Sequence, residues 1–87
     1  MPIVFIPPLM RTLTNGVERV EVEGLTVRQI LRELENQFPG VTERLCAGDE
    51  LKPGMAVAVD GYMSSLGLRQ KVQPTSEVHF LPAIGGG

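Results

Sequence analysis

Only one stretch of this chain is long and regular enough to make a substantial helix. From Thr26 to Gln37, Val27, Ile30, Leu31 and Leu34, with Phe38 beyond them, recur at the i, i+3, i+4 spacing of one helical face. Arg28, Gln29, Arg32, Glu33, Glu35 and Asn36 fall elsewhere on the wheel. A lone amphipathic helix must bury its apolar stripe against something, and the other apolar runs are short and strand-like. The chain is therefore expected to be an α+β domain, one main helix lying across one face of a sheet. Thr26 can cap that helix, with Gln29 three positions later as the reciprocal partner of a capping box. Pro39 biases Phe38 out of the α region and Gly40 frees the chain to turn, which ends it.

The strands read from composition and phase. Ile3-Val4-Phe5-Ile6 is apolar at every position, which suggests a strand covered on both faces. Pro7-Pro8 breaks its ladder before Leu9 to Leu13, and Asn15-Gly16 carries the signal of a type I′ hairpin turn opening a second strand. Val20-Glu21-Val22-Glu23 alternates as a sheet with one wet side requires, with Val17 out of phase, as a bulge or a late strand start would make it. Val41 to Cys46 leaves room for a short further helical turn, and Lys52-Pro53-Gly54 is a turn. Met55 to Val59 is a third strand, closed by Asp60-Gly61, and Glu77 to Leu81 is the last. Between them, residues 62 to 76 read as a weak strand or loop, with Leu66, Leu68 and Val72 dipping into the core from an irregular stretch and Pro74-Thr75-Ser76 as a closing turn. In the last strand Val78 and Phe80 share one face, which leaves His79 and Leu81 on the other.

Eighty-seven residues, 43% of them hydrophobic and 21% charged, suffice for one ordinary globular domain over residues 1–87. A chain of this size buries about 60 to 65% of its unfolded surface, which supports one modest core and argues against a deep catalytic cavity. The formal charge is −2 and the eight basic residues are scattered, so no nucleic-acid stripe is visible. Cys46 is the single cysteine. It offers neither a disulfide framework nor a zinc cluster, and a reducing, cytoplasmic setting fits it best. The apolar start has no basic residues before it and is cut by Pro7-Pro8, which argues against a signal peptide or a membrane span.

After Pro82 the sequence runs on through Ala83, Ile84, Gly85, Gly86 and Gly87. Three glycines lose more backbone entropy on ordering than any other residues would, so residues 1–82 are expected to form the folded body and 83–87 a flexible tail. Taken alone, such a run reads as a frayed end. A tail without Cβ atoms has a second possible use, because it can lie flat in a narrow channel and bring a main-chain carboxylate close to a nucleotide phosphate.

Phe80-Leu81-Pro82-Ala83-Ile84-Gly85-Gly86-Gly87 resembles the end of the small β-grasp sulfur carriers, which share the ubiquitin fold and a diglycine terminus. The family includes the small subunit of molybdopterin synthase, the thiamine-pathway carrier and a carrier serving cysteine synthesis. The resemblance spans nearly the whole chain: opening hairpin, central helix, turn before the third strand, last strand, proline, diglycine. Ile6-Pro7-Pro8-Leu9-Met10-Arg11, Thr14-Asn15-Gly16 and Leu81-Pro82-Ala83-Ile84 are most similar to the cysteine-type carrier. Gly85 stands where alanine is common, and Pro74-Thr75-Ser76 replaces the family's usual Asp-Gly-Asp turn.

The resemblance implies a ubiquitin-like β-grasp with a mixed sheet of four to five strands, and a protein that is a co-substrate rather than an enzyme. It implies that a ubiquitin-activating-type enzyme uses ATP and magnesium to adenylate the carboxylate of Gly87, after which a sulfur donor displaces AMP and leaves a thiocarboxylate. An acceptor such as a pyridoxal-phosphate cysteine synthase would then take the sulfur. With the large subunit of molybdopterin synthase as acceptor, this chain would be the small subunit of that enzyme; as a ubiquitin-like modifier it would instead be joined to lysines. Ala83, Ile84, Gly85 and Gly86 would be read as the tail, and Leu81 and Pro82 would belong to the partner surface. No nucleic acid, no membrane, no resident cofactor and no metal are expected.

The remaining side chains read plainly. His79 titrates near neutrality but has no paired carboxylate or nucleophile to make it an acid or base, so it reads as a strand histidine. Cys46 lacks a thiolate-stabilising neighbourhood in the sequence and reads as inert. Asp49-Glu50 and the Glu21/Glu23 pair are too few ligands for a metal and read as solvated surface. Met1, Met10, Met55 and Met63 form no helical stripe and read as fillers.

Overall fold

The structure, a computed structural model, describes residues 1–82. A mixed five-stranded sheet is built from β1 (Ile3–Phe5), β2 (Arg19–Glu21), β5 (Met55–Val59), β6 (Tyr62–Met63) and β7 (Glu77–Pro82), in the order β2-β1-β7-β5-β6. β1 and β7, at its centre, run parallel, and the other pairs are antiparallel. Helix α1 (Val27–Gln37) covers one face, followed by a short α2 (Val41–Leu45) and a two-stranded ribbon of β3 (Cys46–Ala47) and β4 (Glu50–Leu51). This is a ubiquitin-like β-grasp.

The inner face is a row of valines. Val20, Val4, Val78 and Val59 are successive partners across four strands, with Phe80 opposite Val57 beside them. Val27, Ile30, Leu31 and Leu34 of α1 are buried with this row in one apolar cluster. Each such side chain contributes about 1.5 to 3 kcal/mol by leaving water, so the helix is held by its stripe far more than by propensity. Leu68 and Val72 join that cluster from one flank, and Val41, Leu45 and Cys46 from another.

Helix α1 begins as its sequence predicts, with the Thr26 hydroxyl accepting from the Gln29 N–H at 3.3 Å. The return arm differs: the Gln29 side-chain oxygen accepts from the Leu25 N–H at 2.8 Å, one residue ahead of the reciprocal partner of a capping box. Thr26 is instead bridged to Lys71, the Val27 N–H donating to the Gln70 carbonyl and the Val72 N–H to that of Leu25. At the far end Gly40 takes a φ of 104°, and the Glu35 carboxylate accepts from the Thr42 and Gly40 N–H groups at 2.8 and 2.9 Å. These two donors hold the Glu35 carboxyl below its ordinary range and tie the two helices together.

Several expectations are corrected. Asn15 and Gly16 do take positive φ, 55° and 83°, with the Val17 N–H donating to the Thr14 carbonyl, but this turn does not join β1 directly to β2. Between them Pro7 and Pro8 set a 3-10 turn over Pro8–Met10, and further turns run to Gly16. Val17 lies before β2, which starts late at Arg19. The two-residue hairpin turn is at Asp60-Gly61, with φ of 52° and 86°, and it pairs β5 with β6, a short strand in the stretch read as a weak strand or loop. β1 is covered on one face only, with Val4 and Ile6 buried and Ile3 and Phe5 half-buried on the other. Leu68 and Val72 are in the core as expected, but Leu66 is 48% exposed, because it precedes the 3-10 turn Gly67–Arg69 that aims Leu68 inward.

The turn ahead of β7 is fastened by a latch. Asp60 accepts the Ser76 hydroxyl at 2.8 Å and the Glu77 N–H at 2.9 Å, while the Ser76 oxygen accepts from the Gln73 N–H. Ser76 is buried and fully partnered.

Candidate functional site

β7 decides where the chain end is delivered. It lies in the middle of the sheet, hydrogen-bonded to β1 on one side and β5 on the other, and its last residue, Pro82, is opposite Met55 and exposed. Pro82 has no N–H to give the ladder, which suits the last position of the strand. Val78 and Phe80 are buried against the helix, and His79 and Leu81 lie on the outer face, as the alternation predicts.

That outer face is low and mostly apolar. Across the five strands the register sets Arg19, Phe5, His79, Ala58 and Met63 side by side, and places Leu81 opposite Ala56. His79 stacks on Phe5, ring centroids 4.2 Å apart and planes 7° apart. The two alanines leave a shallow floor beside Leu81, and Met63 is 58% exposed at its rim. Of the four methionines, then, Met10 and Met55 fill the core or its margin, while Met1 and Met63 are on the surface.

Leu81 is half-buried and Pro82 exposed at the end of β7. Ala83, Ile84, Gly85, Gly86 and Gly87 lie outside the described residues. The row of small and aromatic residues on the outer face was missed, because it appears only when four strands are put in register. The alternation within β5 was the available signal: its valines point inward and leave Ala56 and Ala58 outward.

The side chains that invite catalytic readings are placed otherwise. Cys46 is buried, and burial pushes its thiol up despite the opposing fields of Arg28 and Lys52, so it is a poor nucleophile. Asp49 is mostly solvated beside Arg28, 3.4 Å away. Among the described residues no three His, Cys, Asp or Glu side chains gather as metal ligands, and no helix is long and apolar enough to cross a membrane.

The family model of ThiS matches residues 4–87. This chain belongs to the ThiS family of ubiquitin-like sulfur carriers. The ThiS-family chain is 31% identical to the sulfur carrier protein CysO of Mycobacterium bovis, over 97% of this chain and 96% of that one. A chain in the crystal structure of the Amycolatopsis orientalis BexX/CysO complex superposes with a TM-score of 0.91 at 31% identity, covering all of both chains. Mycobacterium tuberculosis CysO gives 0.88 at 27% identity, covering 97% of this chain and 100% of that one. The small archaeal modifier protein 1 of Methanosarcina acetivorans shares the fold, with a TM-score of 0.78 at 21% identity over 99% of this chain and 95% of that one.

Proposed function

We propose that this chain carries sulfur as a thiocarboxylate on Gly87, and that residues 1–87 act as one carrier domain for partner enzymes. The observation that carries the reading is the position of β7: paired on both sides, it leads the chain to Pro82 and on towards Gly87 in a protein whose relatives are sulfur carriers. A carboxylate is a poor electrophile. An adenylating enzyme joins the Gly87 carboxylate oxygen to the α-phosphate of ATP, with pyrophosphate leaving and magnesium and cationic groups of that enzyme offsetting the charge. Sulfide released by a donor then attacks the acyl carbon, forming the C–S bond as the C–O bond to AMP breaks, and loss of a proton leaves the thiocarboxylate.

Cysteine synthesis is the favoured destination, because the curated relatives at 31% identity are CysO carriers. There a pyridoxal-phosphate enzyme would take the tail, and the terminal sulfur would attack the intermediate it holds, shielded from water. Ala83, Ile84, Gly85 and Gly86 supply a slender lead into both enzymes. The folded body must add affinity, since glycines gain little after their ordering cost, and Leu81 and Pro82 stand nearest to do so. Reducing cytoplasm suits a terminal sulfur of this kind.

The test is a chain extended by one residue after Gly87. Adenylation and sulfur transfer should both be lost while the fold is unchanged; an extension that leaves both intact would sink the reading. A molybdopterin-type carrier would differ only in the acceptor, and a modifier would give lysine-linked conjugates in cells.

A further inference from the structure

β2 is an edge of the sheet, with β1 on one side and, among the described residues, no strand on the other. Its ladder with β1 says which backbone groups that edge presents. The Ile6 N–H donates to the Glu18 carbonyl, and the Val22 N–H to that of Pro2. In an antiparallel ladder such pairs recur at every second residue, so Glu18, Val20 and Val22 turn their backbone groups towards β1. Arg19 and Glu21 turn theirs outward, where no strand meets them.

Edge strands are ordinarily blunted against pairing by lysines, proline or bulges. The charges of β2 act differently on a second copy of the same strand. Arg19 and Glu21 are exposed on either side of buried Val20, so their side chains share the outer face. Neither takes part in the ion pairs found among the described residues. When a second β2 lies antiparallel to the first with Val20 beside Val20, Arg19 faces Glu21 of the second copy, and Glu21 faces its Arg19. These are also the residues whose backbone groups point outward, so each such pair exchanges both N–H···O=C bonds. A slip by two residues, which keeps Val20 on the inner face, sets Arg19 against Arg19 or Glu21 against Glu21. Parallel pairing in register opposes like charges as well. Opposite charges across a strand pair are favourable and like charges are not, so one arrangement is selected.

We propose that β2 is a self-association edge, through which two copies of this chain join their sheets antiparallel about a two-fold axis at Val20. β7 is parallel to β1 and β1 antiparallel to β2, so the two β7 strands run in opposite directions and reach Pro82 at opposite ends of the joined sheet. Three residues a side make a contact well below the about 1,200 Å² of a lasting interface, so the pair forms and parts with concentration.

The experiment is sedimentation equilibrium of the native chain from about 10 μM to about 1 mM. Arg19→Glu, Glu21→Arg and the double charge swap are compared with it, with urea midpoints as the folding control. The native chain should pass from monomer towards dimer, with a Kd that rises on adding salt. Each single substitution turns both cross-strand pairs into like charges and should raise Kd by about tenfold. The double swap should restore the native Kd, and an equimolar mixture of the two single variants should form a mixed dimer. A native chain that stays monomeric throughout leaves the edge to a strand of another protein and overturns the proposal. So does a dimer whose Kd is unchanged by Arg19→Glu, which would use another surface, or a double swap as weak as the single variants.

Discussion

The imidazole of His79 lies face to face with the ring of Phe5, 4.2 Å away, on neighbouring parallel strands at the middle of the outer sheet face. This stack joins the strand that starts the fold to the strand that leads out of it. A double-mutant cycle with Phe5→Leu and His79→Ala should give a coupling of about 0.5 to 1 kcal/mol in chemical denaturation. Additive effects would mean that the two rings merely coexist.

Two carboxylates tie turns to the body of the fold. Glu35 is held below its ordinary 4.5 by the N–H groups of Thr42 and then Gly40, and Asp60 below its ordinary 3.8 by the N–H of Glu77 and then the Ser76 hydroxyl. A folded-state value lower than the unfolded one means that the unfolded chain binds more protons as the medium turns acid. The stability contributed is present above the ordinary values and is lost as pH falls through the lower folded ones. Urea midpoints should therefore drop from pH 5 to pH 3, within the carboxylate range, and Glu35→Gln should show a smaller drop than the native chain.

Gly24 is required by space rather than by conformation. A Cβ there would stand 2.9 Å from both the backbone nitrogen and the Cγ1 of Ile30, which is wholly buried. Because α1 cannot shift without disturbing the core, Gly24→Ala should destabilise by about 1 to 3 kcal/mol. A denaturation midpoint equal to that of the native chain would contradict this packing.

Sequence patterns foretold the parts of the fold that rest on local rules. The stripe from Val27 to Leu34 needed only its own spacing, and the inward Val78 and Phe80 only their alternation. What escaped depended on partners distant in the chain. β6 is two residues long and exists because Asp60-Gly61 folds it onto β5. The Asn15-Gly16 turn was recognised but its setting was not, since nothing local to it says that Pro7 and Pro8 have already diverted the chain into a lobe. Ser76 and Asp60 are sixteen residues apart, and their latch appears only in the folded chain. The position of Leu81 followed from phase alone, whereas the floor of Ala56 and Ala58 beside it required the register.

Leu81 faces outward on a strand whose neighbours on either side hold it rigid. Leu81→Asp should therefore leave the fold intact and reduce adenylation by about tenfold or more if the outer face docks with the tail. Carrier-dependent ATP–pyrophosphate exchange measures it, with a urea midpoint as control, and unchanged exchange would remove Leu81 from the partner surface.

The most direct measurement is a mass spectrum of the C-terminal peptide after incubation of the native chain with ATP, magnesium, a sulfur donor and the adenylating enzyme, with and without a thiol alkylator. Replacing one oxygen by sulfur nearly matches the mass of oxidising a methionine or Cys46, so the change has to be localised to Gly87. The expected result is alkylatable sulfur at Gly87 that appears only with ATP. A Gly87 that remains an ordinary carboxylate, in a reaction that converts an authentic sulfur carrier, would contradict sulfur carriage by this chain.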